Sequence, residues 1–217
     1  MDRKQATALT SLVVVIVLAA LAWYLDRANT DSPTTAPPPS AGDSAAQLAG
    51  LAIAPEGKMA GYSRDRFPHW AGQGNSCDTR EVVLQKQGAN VKNDKDCKAV
   101  EGTWVSPYEG LTITNAGEMD IDHTVPLAEA WRSGANSWTT ARRQSFANDL
   151  TRPQLIAVTD NVNQSKGDQD PSQWQPSIPS YRCTYAKMWI TVKSYWALNL
   201  QSTEKTALQT MLNTCSS

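Results

Sequence analysis

Residues that act as bases or bind metals near neutral pH are scarce in this sequence. Histidine occurs only at His69 and His123 among 217 residues, so one of these two must supply any base that works at neutral pH. The four cysteines include no Cys-x-x-Cys pair, which argues against a zinc site. The formal net charge is −1, so the chain as a whole does not attract nucleic acid by positive charge.

The N-terminal segment has no charge along its apolar run. Residues 6–25 contain no charged side chain, and Arg3 and Lys4 precede them. About 20 apolar residues span a bilayer, and basic residues before the span favour a cytoplasmic N-terminus. Residues 1–27 are therefore either a transmembrane anchor or a signal peptide cleaved after Ala20-Leu-Ala22. Both alternatives predict an extracytoplasmic location for the rest of the chain, either membrane-anchored or secreted.

Residues 28–50 contain few large apolar side chains and are rich in Pro, Ala, Ser and Thr. Such a segment cannot bury enough surface to fold, so its composition predicts a disordered linker. The remaining residues, 51–217, are sufficient for one domain with a single core.

The cysteines fit an exported protein with two disulfide bonds. They are Cys77, Cys97, Cys183 and Cys215. Three pairings are possible, and Cys77–Cys97 with Cys183–Cys215 is favoured on geometric grounds. Helical spacing of apolar residues predicts helices over 181–200 and 203–214. If these helices pack antiparallel, Cys183 at the start of the first lies beside Cys215 at the end of the second.

The second histidine follows a predicted strand. Met119 and Ile121 alternate with Asp120 and Asp122, which is the period-2 pattern of a half-buried strand. The polar face of this strand leads directly into His123. A carboxylate and an imidazole therefore lie side by side at the end of the strand.

Other short elements surround this strand. Two strands flank a turn at residues 106–110, and together with the strand that ends at His123 they are expected to form a local antiparallel sheet. An amphipathic helix is predicted over 139–150 and an apolar strand over 155–158. A further helix begins near Asp160, with Asp160 and Asn161 as the candidate caps.

Metal-assisted hydrolysis of a phosphodiester needs oxygen ligands for a hard cation, a base for the attacking water and positive charge for the transition state. Asp122, Asn163, His123 and Lys166 are one set that supplies these groups. Each residue alone is weak support. An Asp-His pair is common by chance, and an Asn near a helix start usually caps the helix. His69 could be a second catalytic or metal-binding group, but the favoured interpretation is a surface histidine beside a packing tryptophan.

Three separated blocks agree in order and spacing with a known family. They are residues 120–135 with the pair Asp122-His123, residues 146–150, and residues 163–174 with the motif Asn163-x-x-Lys166-x-Asp168. Together they resemble the HNH endonuclease (ββα-metal) family and, within it, exported bacterial proteins. The resemblance covers roughly residues 60–200. It implies an α+β fold with a ββα-metal core, a small antiparallel sheet, surrounding helices and a C-terminal helical hairpin.

The resemblance also implies roles for single residues. His123 would be the general base, and Lys166 would contact the scissile phosphate or a neighbouring one. Asp122 and Asn163 would bind one divalent ion, Mg²⁺ or Mn²⁺, and Asn161 would be a weak or water-mediated ligand. Many members of the family have a metal-binding histidine where this chain has Asn163, which implies a lower metal affinity.

Two further positions of the family motif are less clear. Asp168 is expected to fix the helix or Lys166 rather than bind metal. The middle Asn of the motif, which commonly holds the loop after the catalytic histidine, has no clear match. Gln154 and Asn148 are the two candidates for that role.

Positive charge is concentrated near these blocks. Between residues 132 and 166 five cations and two carboxylates give a net charge of +3. Arg142, Arg143 and Arg152 are candidate contacts to a nucleic-acid backbone. An ordinary solvated helix face would carry the same charges, so both interpretations stay open.

The sequence thus predicts a metal-dependent endonuclease acting on nucleic acid outside the cytoplasm, with DNA favoured over RNA. No base-reading element is visible in the sequence, which predicts low sequence specificity. The alternative is a non-catalytic module that binds nucleic acid or the cell envelope on the same scaffold. Another metal-dependent phosphoesterase is a third possibility. The N-terminal segment implies a membrane contact, and no protein partner is implied.

Overall fold

Short strands and helices alternate along residues 40–215, which are the residues that the computed structural model describes. The helices in this range are α1 (Ala41–Gly50), α2 (Thr79–Gln87), α3 (Leu127–Arg132), α4 (Thr140–Ala147), α5 (Asp160–Lys166), α6 (Arg182–Trp196) and α7 (Ser202–Leu212). The strands are β1 (Gly72–Gly74), β2 (Cys77–Asp78), β3 (Ala89–Asn93), β4 (Ala99–Val105), β5 (Thr112–Ile113), β6 (Met119–His123) and β7 (Leu155–Thr159). Single 3-10 turns lie at Arg64–Arg66, Ala116–Glu118, Ala135–Ser137 and Pro179–Tyr181.

The strands of residues 40–215 form small antiparallel sheets, so the predicted α+β class is confirmed. β1 pairs with β2, β4 lies between β3 and β5, and β6 pairs with β7. The expected local sheet is wrong in one respect, because β6 pairs with the distant β7 rather than with β4 or β5. β7 consists largely of apolar residues, and pairing with it completes the backbone hydrogen bonds of β6 inside the protein.

The β6–β7 pair separates two apolar clusters, which explains why every residue of β7 is buried. Ile156 and Val158 belong to the larger cluster, built mainly from α3, α4, α6 and α7. Leu155 and Ala157 face the smaller cluster, which includes Trp104 of β4. Successive residues of a strand point to opposite faces, so a sheet covered on both sides needs apolar residues at every position.

β6 is more buried than the half-buried strand that its alternation predicts. Asp122 is 3% exposed, although it lies on the polar face of the strand. The reason is α5, which follows β7 directly and packs against β6. Thr159 caps α5 by accepting a hydrogen bond from the backbone of Val162.

Residues 41–50 correct the predicted linker, because they form α1 instead of a disordered chain. Ser40 and Asp43 make a capping box at its start. Leu48 is 1% exposed, and α1 packs against α6 and α7. The alanine-rich composition that suggested a linker also favours a helix once an apolar residue can be buried.

Both disulfide bonds have the predicted connectivity. Cys77 is bonded to Cys97, which joins β2 to the turn between β3 and β4. Cys183 is bonded to Cys215, which joins the first turn of α6 to the end of α7 and makes them a helical hairpin. Each bond is expected to contribute about 2–4 kcal/mol to stability.

The predictions for residues 1–27 and 28–39 lie outside the described residues. Within residues 40–215, every helix is too short or too polar to cross a bilayer.

Candidate active site

His123 ends β6 with its ring fixed by two contacts. Its Nε2 lies 2.9 Å from the carbonyl oxygen of Ala147, and the indole of Trp70 stacks on the ring at 5.7 Å between centroids. A carbonyl oxygen can only accept, so Nε2 carries the proton and the lone pair is on Nδ1. The pKa of His123 is lowered to about 3, mainly by burial and in addition by the charge of Arg64, against the opposing effect of the bond to Ala147. The ring is therefore neutral at physiological pH.

Asp122, on the other face of β6, is held by two buried donors. The Nζ of Lys166 lies 2.8 Å from Oδ1, and the hydroxyl of Tyr108 donates to Oδ2 at 2.7 Å. Burial raises the pKa of Asp122 and lowers the pKa of Lys166, while each partner opposes the shift of the other. With this short contact and both carboxylate oxygens hydrogen-bonded, we consider the pair ionised at neutral pH.

Lys166 is at the end of α5 but does not reach solvent. It is 0% exposed, and besides Asp122 it donates to the backbone carbonyl of His123 at 2.9 Å. The expected contact between Lys166 and a phosphate therefore needs correction. Its ammonium group neutralises a buried carboxylate and ties α5 to the end of β6, because an unpaired buried charge would be far more costly.

Asn163 lies one turn earlier on α5 and contacts β6 at a different carboxylate. Its Nδ2 donates to Oδ2 of Asp120 at 3.0 Å. Both side chains are partly exposed. The Oδ1 of Asp120 and the Oδ1 of Asn163, its single side-chain oxygen, form no hydrogen bond with residues 40–215. Asn161 is exposed on the first turn of α5, in a cleft shared with Glu109, Glu118 and Asp160.

Oxygen atoms are the groups here that could bind a metal ion. Within residues 40–215 no cluster of three His, Cys, Asp or Glu side chains has the geometry of a metal site. Asp120 and Asn163 are adjacent and accessible, whereas Asp122 would have to give up a bond to Lys166 or Tyr108. This set fits Mg²⁺ or Mn²⁺ held by few protein oxygens, since Mg²⁺ commonly keeps several water or phosphate ligands.

Gln154, one of the two candidates for holding the loop after His123, contacts that loop directly. Its Nε2 donates to the carbonyl of Val125 at 2.9 Å, and its Oε1 accepts from the backbone N–H of Val125 at 3.2 Å. The backbone carbonyl of Gln154 also accepts from Thr124. Gln154 is 0% exposed, so it holds the loop that follows His123 from inside the protein.

Asn148, the other candidate, holds a different segment. Its Oδ1 accepts from the backbone of Ala71 at 2.8 Å, and its Nδ2 donates to the carbonyl of Pro68 at 2.8 Å. Between these two residues Trp70 adopts a left-handed backbone with φ of 58°, which is uncommon for a bulky residue. The bonds to Asn148 hold this segment so that Trp70 covers His123.

His69 lies on the same segment, closer to His123 than its interpretation as a surface residue suggested. The two imidazole rings are 6.4 Å apart and nearly perpendicular. His69 donates from Nδ1 to the carbonyl of Phe67 at 2.9 Å, and its Nε2 accepts from Nε of Arg64 at 3.3 Å. The sequence raised His69 as a possible second group of the site but not its distance from His123, which depends on the bonds from Asn148 to Pro68 and Ala71.

The three arginines predicted to bind nucleic acid have different environments. Arg143 is 5% exposed and donates to the carbonyls of Arg66, Ala135 and Trp138, so the expected phosphate contact needs correction for this residue. Arg142 is exposed and lies 4.6 Å from the ring of Trp138.

Arg152 also remains available at the surface. It is partly exposed, 3.4 Å from both a carboxylate oxygen of Asp149 and the ring centroid of Tyr195. The carboxylate of Asp168 pairs with Arg132 at 2.6 Å, so the expected contact with Lys166 needs correction. That ion pair connects the end of α5 to α3.

Residues 79–211 match the family described as GmrSD restriction endonucleases, C-terminal domain. This stretch contains β6, β7 and α5 complete. The chain belongs to the GmrSD C-terminal domain family. The GmrSD C-terminal domain is a nuclease-related domain, which agrees with the general class that the sequence predicted.

One relative of this GmrSD C-terminal domain is an "Uncharacterized secreted protein" of Arthroderma benhamiae. It is 57% identical over 188 residues, which cover 86% of this chain and 92% of that protein. No solved structure matches the chain. The family match begins at residue 79, so the segment with Arg64, His69 and Trp70 precedes it.

Proposed function

We propose that this GmrSD C-terminal domain is a metal-dependent endonuclease of the HNH type, which hydrolyses phosphodiester bonds of nucleic acid. The observation that carries the proposal is the state of His123. A buried imidazole with Nε2 fixed on Ala147 and a free lone pair on Nδ1 suits a base that accepts a proton from water. The order β6, β7, α5 supports a ββα core, as in the HNH proteins that the motifs resemble.

The proton transfer depends on the change in charge when substrate binds. In the free protein, burial and neighbouring cations keep the proton off His123. A phosphate group brings negative charge next to the ring and raises the pKa of its Nδ1. His123 therefore stays unprotonated until substrate arrives and then becomes a better proton acceptor for the attacking water.

The metal ion in this proposal is Mg²⁺ or Mn²⁺. Asp120 and Asn163 would hold it directly, with Asp122 as a further ligand if Lys166 or Tyr108 releases one oxygen. When bound, the ion supplies positive charge to the phosphate oxygens in the transition state. Asn161, exposed on the first turn of α5, is a water-mediated ligand at most.

The proposed substrate is DNA, and the proposed location is outside the cytoplasm. Arg142 and Arg152 are cations at the surface that suit a nucleic-acid backbone. We propose DNA cleavage with low sequence specificity, because no base-reading helix or finger is recognisable within residues 40–215. Two disulfides and a relative with "secreted" in its name support a location outside the cytoplasm. Residues 1–27 would provide export, as an anchor or as a cleaved signal peptide.

A cleavage assay tests the proposal. The purified full chain should nick supercoiled plasmid DNA with Mg²⁺ or Mn²⁺ and lose this activity with a chelator. His123→Ala should abolish nicking while the protein stays folded at the assay temperature, although loss of the buried ring and of its bond to Ala147 lowers the unfolding temperature. Gln209→Ala, an exposed substitution on α7, serves as the matched control and should cut like the wild type. Equal cutting by His123→Ala would show that another group is the base.

A non-catalytic module that binds nucleic acid is the second candidate. The observation in its favour is that Asp122 gives both carboxylate oxygens to protein donors. In that case the protein would bind DNA with or without metal, and neither Mg²⁺ nor Mn²⁺ would produce nicked plasmid.

A further inference from the structure

Most cations near β6 and α5 already have partners within the protein. Lys166 is buried against Asp122, and Arg132 is paired with Asp168. Arg143 is buried against backbone carbonyls. These three side chains cannot stabilise a phosphate next to His123 without losing bonds that hold the fold.

Arg64 differs from them in exposure and in its contacts. It lies at the surface on the turn Arg64–Arg66, and its guanidinium forms no salt bridge with any carboxylate of residues 40–215. Its side chain is hydrogen-bonded at Nε alone, on the Nε2 of His69 at 3.3 Å. The two terminal amino groups of the guanidinium therefore remain free, which is the arrangement that binds phosphate with two parallel hydrogen bonds.

The segment that carries His69, the partner of Arg64, and the ring of His123 are both bonded to the end of α4, at neighbouring residues. Asn148 holds the segment of His69 by bonds to Pro68 and Ala71. The preceding residue, Ala147, accepts the hydrogen bond from His123. The Arg64–His69 pair and the proposed base are thus fixed to neighbouring residues at the end of α4, with 6.4 Å between the imidazole rings.

We infer that Arg64 binds a backbone phosphate of nucleic acid beside His123, and that His69 positions Arg64 by accepting its Nε–H. This inference rests on the proposed function, because it names the contact that brings the phosphodiester to the base. His69 keeps its lone pair on Nε2 by donating Nδ1–H to Phe67. The family match does not include these residues, since it begins at residue 79.

The test compares variants of the full chain in two measurements. Steady-state nicking of supercoiled plasmid gives kcat and KM, and binding of a short fluorescent duplex at several salt concentrations gives the number of phosphate contacts. The variants are Arg64→Gln, Arg64→Lys and His69→Phe. Arg66→Gln is the matched control, because Arg66 is an exposed arginine on the same turn.

Arg64→Gln should lower kcat/KM by about 10- to 100-fold, because a donor aimed at the transition-state charge is lost. It should also reduce the slope of log K against log salt by about 1. Arg64→Lys should recover part of the loss in kcat/KM, because the lysine restores the positive charge but cannot form a bidentate hydrogen bond with phosphate. His69→Phe should lower kcat/KM while leaving the salt slope nearer that of the wild type.

Two failures can be told apart. If the wild type nicks plasmid and Arg64→Gln matches Arg66→Gln in both measurements, the inference is wrong and the proposed function stands. If the wild type does not nick plasmid with either metal, the proposed function fails. The salt slopes of the same variants then still show whether Arg64 binds phosphate.

Discussion

Lys166 and Asp122 form a buried ion pair 2.8 Å apart, and it joins the end of α5 to the end of β6. Their side chains are 0% and 4% exposed. The sequence suggested that this lysine reaches for substrate, whereas in the fold it neutralises a carboxylate. The pair therefore holds the site together, and its removal is expected to act mainly on stability.

Lys166→Met should destabilise the protein by about 3–5 kcal/mol, because it leaves the Asp122 carboxylate buried without its cation. The double variant Lys166→Met with Asp122→Leu should lose less than Lys166→Met alone, since no unpaired charge remains. Lys86→Met, at an exposed position of α2, is the control and should change stability little. Urea unfolding followed by tryptophan fluorescence measures these differences. A loss no larger than that of Lys86→Met would mean that the pair does not stabilise the fold.

Gln154→Ala should release the loop after His123. It removes both bonds to Val125 and leaves buried backbone groups unsatisfied, which costs about 1–3 kcal/mol for each such group. The plasmid-nicking rate should fall while KM changes little. The variant leaves the substrate-binding surface intact, but His123 loses its orientation. Gln144→Ala, at an exposed position of α4, should leave both quantities unchanged. An unaltered nicking rate in Gln154→Ala would show that the loop is held by other contacts.

Stability should depend on pH through His123. Its pKa in the folded protein, about 3, is below the ordinary value of 6.5, so between these values the unfolded chain binds a proton that the folded chain does not. Stability contributed by this group is complete above pH 6.5 and falls by about 1.4 kcal/mol per pH unit below it. Thermal unfolding of wild type and His123→Phe from pH 8 to pH 4 isolates the effect. Parallel curves for the two proteins would contradict a strongly lowered pKa.

Metal binding should depend on Asp120 and Asn163. Asp120→Asn and Asn163→Ala should each weaken the binding of Mn²⁺, by roughly 10-fold or more, because each removes or weakens one of the few protein oxygens available to the ion. Calorimetric titration with Mn²⁺ measures this independently of any cleavage. Asp96→Asn, an exposed carboxylate between β3 and β4, is the control. If Asp120→Asn and Asn163→Ala bind Mn²⁺ as tightly as the wild type, other groups hold the ion. If the wild type itself gives no binding signal, the protein does not hold the ion.

Local patterns in the sequence were sufficient for several features of the fold. Alternation over residues 119–122 located β6, and the apolar run near residue 155 located β7. The helical spacing of the C-terminal region placed Cys183 beside Cys215. These features depend on periodicity within a few residues, which side-chain direction in strands and helices makes readable. The chemistry of metal-assisted phosphodiester hydrolysis selected His123, Asp122 and Asn163 as candidates for the site, and the resemblance to HNH proteins implied a role for each.

Other features depend on which segments meet, and only the tertiary structure decided those. The partner of β6 lies more than thirty residues further along the chain, and α1 became a helix only where α6 and α7 cover Leu48. Burial made Lys166 a partner of Asp122, because a charge enclosed by protein must be neutralised there. The contact between Arg64, His69 and His123 likewise exists because Asn148 holds a distant loop. Sequence fixes the chemistry of each side chain, but burial and long-range contacts determine which of these groups are free to act.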